Sequence, residues 1–244
     1  MIRKSSIIDN FKTLFYALVI AIVIRSLLLQ PFYIPSSSME PNLLVGDRLF
    51  VTKYTYGYSR HSFPFSPKIF SGRILFSEPE PGDIVVFKTP ADNRTDYIKR
   101  LIGVPGDEIQ FIEGNLYINN NQVLKTSIRS TDSIFCGSNK IKVSSFNEKL
   151  SNGKIYNTVY RLEYSFQNSD KFLIPEKHYF FLGDNRDCSK DSRFLTEVGY
   201  VHQDNLVGKA QFLFFSSDYK KGSIFKFWKW NEILRLNRFF KKIK

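Results

Sequence analysis

Three stretches of the 244-residue chain carry groups that can attack a carbonyl or move a proton. The first runs Gln30-Pro31-Phe32-Tyr33-Ile34-Pro35-Ser36-Ser37-Ser38-Met39-Glu40-Pro41, three hydroxyls bracketed by prolines that fix an extended approach and a sharp exit. The second, Tyr97-Ile98-Lys99-Arg100-Leu101-Ile102, sets an amine inside an otherwise apolar strand start. The third runs Gly183-Asp184-Asn185-Arg186-Asp187-Cys188-Ser189-Lys190-Asp191-Ser192-Arg193, a dense polar loop closing a hydrophobic strand. Serine hydroxyls do nucleophilic chemistry only when a base is within reach. By composition alone, the serine run reads as a linker.

Other chemistries have less to stand on. No G-x-S-x-G turn is present, and His61, His178 and His202 have no evident serine partner, which closes the Ser/His/Asp route. S-x-x-K occurs from Ser151 to Lys154 and from Ser217 to Lys220. The first contains an Asn-Gly turn and the second opens a basic tail, whereas that chemistry needs one helical turn to join the two side chains. Two cysteines and three histidines lack paired ligand spacing, and no glycine-rich phosphate loop is present, so neither metal nor cofactor is expected.

The elements that must position these groups divide the chain. Residues 1–12 form a short basic segment, and residues 13–30 a transmembrane helix built on an unbroken apolar run from Leu14 to Ile24. Read as one helix from Phe11 to Leu29 it is about 28 Å long, with Arg25 near the far end and Pro31 closing it. Arg3, Lys4 and Lys12 precede the span and no Lys or Arg follows until Arg48, which sets the N-terminus in the cytoplasm. A cleaved leader is the competing reading; against it, no small-x-small tripeptide follows the apolar run. Residues 31–219 read as a mainly β body, with strands at Ile84 to Phe87, Tyr97 to Ile102, Glu108 to Ile112, Leu116 to Ile118, Tyr179 to Leu182 and Val207 to Phe214. Turns at Pro105-Gly106-Asp107, Glu113-Gly114-Asn115 and Asn119-Asn120-Asn121 make the sheet antiparallel, and residues 126–170 read as an excursion with hairpins of its own. In the tail, residues 220–244, Ile233, Leu236, Phe240 and Ile243 fall on one side of a helical wheel, which fits a basic amphipathic helix on a membrane surface. Equally, its aromatics fit packing on the β body.

The formal charge of +12 separates along the same lines: +2 before the span, +2 from residue 14 to 219, and +8 in the tail. A near-neutral body argues against nucleic acid, which needs a basic face along the phosphates.

The three polar stretches, with Gly46-Asp47 and Pro81-Gly82-Asp83-Ile84-Val85-Val86-Phe87, resemble bacterial type I signal peptidase, a Ser/Lys-dyad serine peptidase family, in the family's order behind an N-terminal anchor. The resemblance implies Ser38 as nucleophile and Lys99 as general base. An ammonium has no lone pair with which to take a proton, so the lysine pKa of about 10.4 must fall by several units, and the apolar neighbours of Lys99 suit that. It further implies Ser36 as an oxyanion donor and Ser189 as the residue that orients the lysine, with Asp184, Asp191, Arg193 and Arg100 as supporting ion pairs. Phe32, Ile34, Pro35, Leu43, Tyr97 and Ile98 are the implied substrate contacts. The implied partners are exported preproteins and the phospholipid membrane, with the catalytic body on the outer face of the cytoplasmic membrane and cleavage after small-x-small sites.

This sequence departs from the family pattern at Cys188, where Asn is common, and at Ser37, where many members have Gly; it supports one membrane span where some have two. Spacing does not decide whether Cys136 and Cys188 pair. Two other functions fit the same residues: a processing peptidase for a single secretion or conjugation substrate, and a non-catalytic anchored β domain that binds exported chains.

Overall fold

The computed structural model of the protein describes residues 4–68, 70–137 and 139–243; Arg3, used above for orientation, lies outside them. Helix α1 (Lys4–Val23) runs into a single π turn (Ile24–Leu28). Together they contain one apolar stretch long enough to cross a bilayer, Ile8–Leu28, with Phe11, Leu14, Phe15 and Leu18 all exposed. The helix ends at Leu28, before the Pro31 expected to close it. Leu29 is already extended and pairs with Thr52, because β1 (Leu29–Tyr33) is the edge strand of a sheet. Pro31 sits within that strand, at a sheet edge where a missing N–H is tolerated.

Seven antiparallel strands form the main sheet, in the order β1, β2 (Asp47–Thr52), β14 (Leu206–Ser216), β3 (Ile84–Lys88), β4 (Asp96–Gly103), β12 (His178–Leu182) and β13 (Val201–His202). Register shifts in β14 let one strand pair with β3 at its start and with β2 along the rest, curling the sheet. The uninterrupted apolar run of β3 follows from burial on both faces. Ile84 and Val86 join Ile34, Met39, Leu43, Leu49 and Val51 in one cluster, while Val85 and Phe87 join Leu101, Phe181 and Val201 in another.

A second sheet holds β5 (Glu108–Ile112), β6 (Asn115–Ile118), β7 (Asn121–Gln122) and β11 (Phe172–Leu173). Its hairpins turn on Glu113-Gly114 and Asn119-Asn120, all four at positive φ, the backbone that two-residue hairpins need. The excursion folds as a third antiparallel sheet of β8 (Leu124–Cys136), β9 (Asn139–Lys149) and β10 (Ile155–Arg161).

The tail does not form the continuous amphipathic helix of its wheel. It makes three short turns, Phe227–Lys229, Trp230–Ile233 and Leu236–Arg238, with Leu234 and Phe239 extended between and after the last two. Tertiary contacts override the local period: Ile233 is fully buried and Ile243 packs on the core, while Leu236 and Phe240, drawn on the same face, are exposed. Backbone bonds from Leu213 to Lys241 and from Ile243 to Gln211 lay the tail against β14. Arg238 reaches the buried Asp47 with two nitrogens, and also the Asn42 carbonyl at 2.9 Å. Phe225, Phe227, Trp228 and Trp230 remain exposed.

Candidate active site

Ser38 occupies a single 3-10 turn (Ser37–Met39) that follows the extended Ser36. The turn is pinned from below by Met39, whose side chain is fully buried among Ile34, Leu43 and Ile84. Lys99 comes from the middle of β4, opposite Val85. Its Nζ donates to Ser38 Oγ at 2.6 Å and lies 5.3 Å from the Tyr97 ring centroid. With Lys99 only 4% exposed, burial draws its amine down to about 8; Asp191 and Asp184 oppose that fall and Arg193 adds to it. The result is an amine that gives up its proton more readily than a free lysine, hydrogen-bonded to a hydroxyl. Ser36 Oγ lies 3.4 Å from Ser38 Oγ.

The polar loop after β12 closes over this pair. Asn185 donates its backbone N–H to the Ser38 carbonyl and its side-chain amide to the Ser37 carbonyl, both at 3.1 Å. The Asp184 carboxylate accepts Nε and Nη2 of Arg100 at 2.8 Å each and Asn42 Nδ2 at 2.7 Å. Arg100 also donates to the Gly82 carbonyl and stacks 4.3 Å from the centre of the Tyr156 ring. Asp191 accepts Arg193 Nε at 2.8 Å and the Gly183 N–H at 3.0 Å. Burial by itself would raise the Asp191 carboxyl; Arg193 outweighs it and holds the group below its ordinary range. The four expected ion-pair residues therefore form two buried pairs, Arg100 with Asp184 and Arg193 with Asp191.

Ser189 is buried against Gly183, and no hydrogen bond joins it to Lys99. Its hydroxyl has no partner of ordinary hydrogen-bond geometry, yet lies near enough to Asp191 to help lower that carboxyl. Phe32, Ile34, Leu43 and Ile98 converge in one apolar cluster, whereas Pro35 is exposed beside the site and Tyr97 is half-buried against the opposite cluster. Strand β12 pairs with β4 only from Arg100 onward, so residues 96–99 have β3 on one side and, among the described residues, no strand on the other.

Several supports have no local signature. Arg186 and Glu148 form a buried ion pair at 2.6 Å, with the Tyr160 and Tyr156 hydroxyls bonded to both, fastening the loop to β9 and β10. Cys136 and Cys188 are joined in a disulfide, Cα to Cα 5.7 Å, which accounts for the cysteine standing before Ser189. Asn42, Asn185 and Asp47 complete the frame from positions whose partners lie 115 to 191 residues away. Among the described residues no group of His, Cys, Asp or Glu is arranged to hold a metal ion.

The family model for signal peptidase, peptidase S26, matches residues 7–215. The chain belongs to that family. Signal peptidase I of Rickettsia typhi is 42% identical over 96% of this chain and 93% of its own length, and that of Rickettsia prowazekii is 42% identical over the same shares. A crystal structure of signal peptidase I from Enterococcus faecalis V583 aligns with 55% of this chain and 97% of its own, at 29% identity and a TM-score of 0.32. In signal peptidase terms, the matched region takes in the apolar helix and the main sheet, while the tail from residue 220 lies beyond it.

Proposed function

We propose that this peptidase removes signal peptides from exported preproteins by attack of Ser38 Oγ on the scissile carbonyl, with Lys99 as general base. The observation that carries the reading is the 2.6 Å bond between Lys99 Nζ and Ser38 Oγ, made by an amine whose pKa burial brings to about 8. The neutral amine takes the hydroxyl proton as Oγ bonds to carbon. The tetrahedral oxyanion is received by the Ser38 N–H and by the Ser36 hydroxyl, donors each worth about 3 kcal/mol. Collapse expels the amine of the mature protein, which leaves with the proton from Lys99; water activated by the same amine then hydrolyses the acyl-enzyme.

The open edge of β4 at residues 96–99 suits a substrate strand added to the sheet, facing the chain at residues 32–35. Alternate substrate side chains would then share one face, toward the apolar cluster that holds Ile34, Leu43 and Ile98, and small residues are expected there. Arg100 and Arg193 hold Asp184 and Asp191 in the loop, the charges of Asp191, Asp184 and Arg193 tune the amine, and Ser189 packs on Gly183. The span at Ile8–Leu28 anchors the body on the outer face of the cytoplasmic membrane, with the N-terminus inside, close to where a translocated signal peptide ends.

The test is cleavage of several unrelated preproteins ending in Ala-x-Ala by the wild type and by Ser38→Ala. Wild-type cleavage of many preproteins with none by the variant is expected. Cleavage by Ser38→Ala removes the serine from the mechanism. A single accepted substrate marks a specialised peptidase, and no cleavage at all marks a binding domain.

A further inference from the structure

A cavity of about 660 Å³ lies between the end of the apolar helix and the sheet, on no part of the dyad. Six cations line it, Arg25, Lys53, Arg60, Lys68, Lys88 and Arg94, against two carboxylates, Asp92 and Asp96. Both acids are occupied. Asp92 accepts the hydroxyls of Thr89 and Thr95 and two backbone N–H groups, and Asp96 pairs with Lys88 at 2.9 Å. Among the described residues, no ion pair joins Arg25, Arg94 or Lys68 to a carboxylate. Lys53, 1% exposed, donates among the described residues to the Ser62 carbonyl alone; burial first, then the Arg25 charge, brings it down to about 8. His61 adds no charge, since its Nε2 accepts from Arg60 Nε and burial lowers it to about 4. The wall therefore carries six cations against two carboxylates, a net positive charge around a buried lysine.

Its height selects the ligand. The Tyr58 hydroxyl and the Lys53 N–H bond to the Leu27 and Leu28 carbonyls, so the cavity opens where the span ends. A span of 21 residues is about 31 Å long, the thickness of the hydrocarbon layer, which leaves the cavity among the headgroups. Phe63, Pro64 and the fully exposed Phe65 form the rim, an aromatic edge of the kind that sits at a membrane interface. We propose that this cavity binds the headgroup phosphate of an anionic phospholipid, its acyl chains lying along the exposed face of α1, and thereby fixes the β body on the bilayer. The inference rests on reading Ile8–Leu28 as a membrane span, and its test uses no substrate, so it fails or stands apart from the peptidase assignment.

Full-length protein in micelles supplemented with phosphatidylglycerol or phosphatidylcholine is released and weighed by native mass spectrometry. One retained phosphatidylglycerol is expected, with phosphatidylcholine lost. Arg25→Gln with Arg94→Gln, both exposed and outside the core, should weaken retention about thirtyfold, since two juxtamembrane cations are removed. Lys226→Gln with Lys229→Gln in the tail should leave it unchanged. Equal retention by the cavity variant, loss only in the tail variant, or displacement of the lipid by millimolar inorganic phosphate would each overturn the proposal.

Discussion

Gly183 is tightly hemmed in beside Ser38, and replacing it by alanine measures how closely Ser38 must be held. Its backbone sits between the Ser38 carbonyl and the Ser189 side chain. A Cβ built there would lie 2.6 Å from Ser38 O and closer still to Ser189 Oγ, where ordinary contact begins at 3.4 Å. No positive φ is involved, so the conflict is one of space. To clear it, the Ser38 carbonyl must retreat by about 0.8 Å, which loosens the Asn185 bond to that carbonyl and turns Oγ away from Lys99. Misplacement on this scale costs about 100-fold in rate, and the overpacking about 1–3 kcal/mol in stability. Gly103→Ala separates the two effects. Its Cβ would meet the flexible ends of Ile174 and Ile109 in a core cluster that contains neither Ser38 nor Lys99, so it should lower Tm with kcat preserved. Steady-state cleavage of a preprotein and thermal melts of both variants give the comparison. Gly183→Ala with wild-type kcat would refute the reasoning that this contact sets the position of Ser38.

Two further outcomes follow from the frame. If Lys99 is the base as proposed, its reactive form is the deprotonated amine; with burial bringing its pKa to about 8, kcat/KM should rise about tenfold per pH unit below 8 and level off above it, the slope being absent if another group is the base. Arg238→Ala removes a buried partner of Asp47 and should cost about 3–5 kcal/mol, read as a Tm lower by about 10 °C, with reduced kcat because Asn42 and the segment after Ser38 lose their clamp; an unchanged Tm would show the tail to be dispensable.

Strands with both faces buried were legible as apolar runs, as at Ile84 to Phe87, and paired asparagines and glycines marked the hairpin turns. Local patterns could not link Ser38 to Lys99, which lie 61 residues apart and meet only through the order of strands; there the family resemblance supplied what periodicity could not. The tail shows the limit from the other side. Its wheel describes a helix in isolation, whereas Asp47 on β2 captures Arg238 and the edge of β14 captures residues 241 and 243, contacts with no trace in the local sequence. The Glu148 and Arg186 pair was hidden for the same reason, each residue being unremarkable until β9 meets the loop. Cys188 departs from the family's common Asn, and the change makes sense only with Cys136 beside it.

Lys99→Arg tests the central claim most directly. Arginine keeps the positive charge and the ability to donate to Ser38 Oγ, but with a pKa above about 12 it does not give up its proton to become a base. With circular dichroism confirming the fold, cleavage of an Ala-x-Ala preprotein by Lys99→Arg should be undetectable at every pH from 6 to about 10, where arginine stays protonated. Activity in that variant would mean that some other group takes the proton from Ser38, and that the buried amine is there for structure alone.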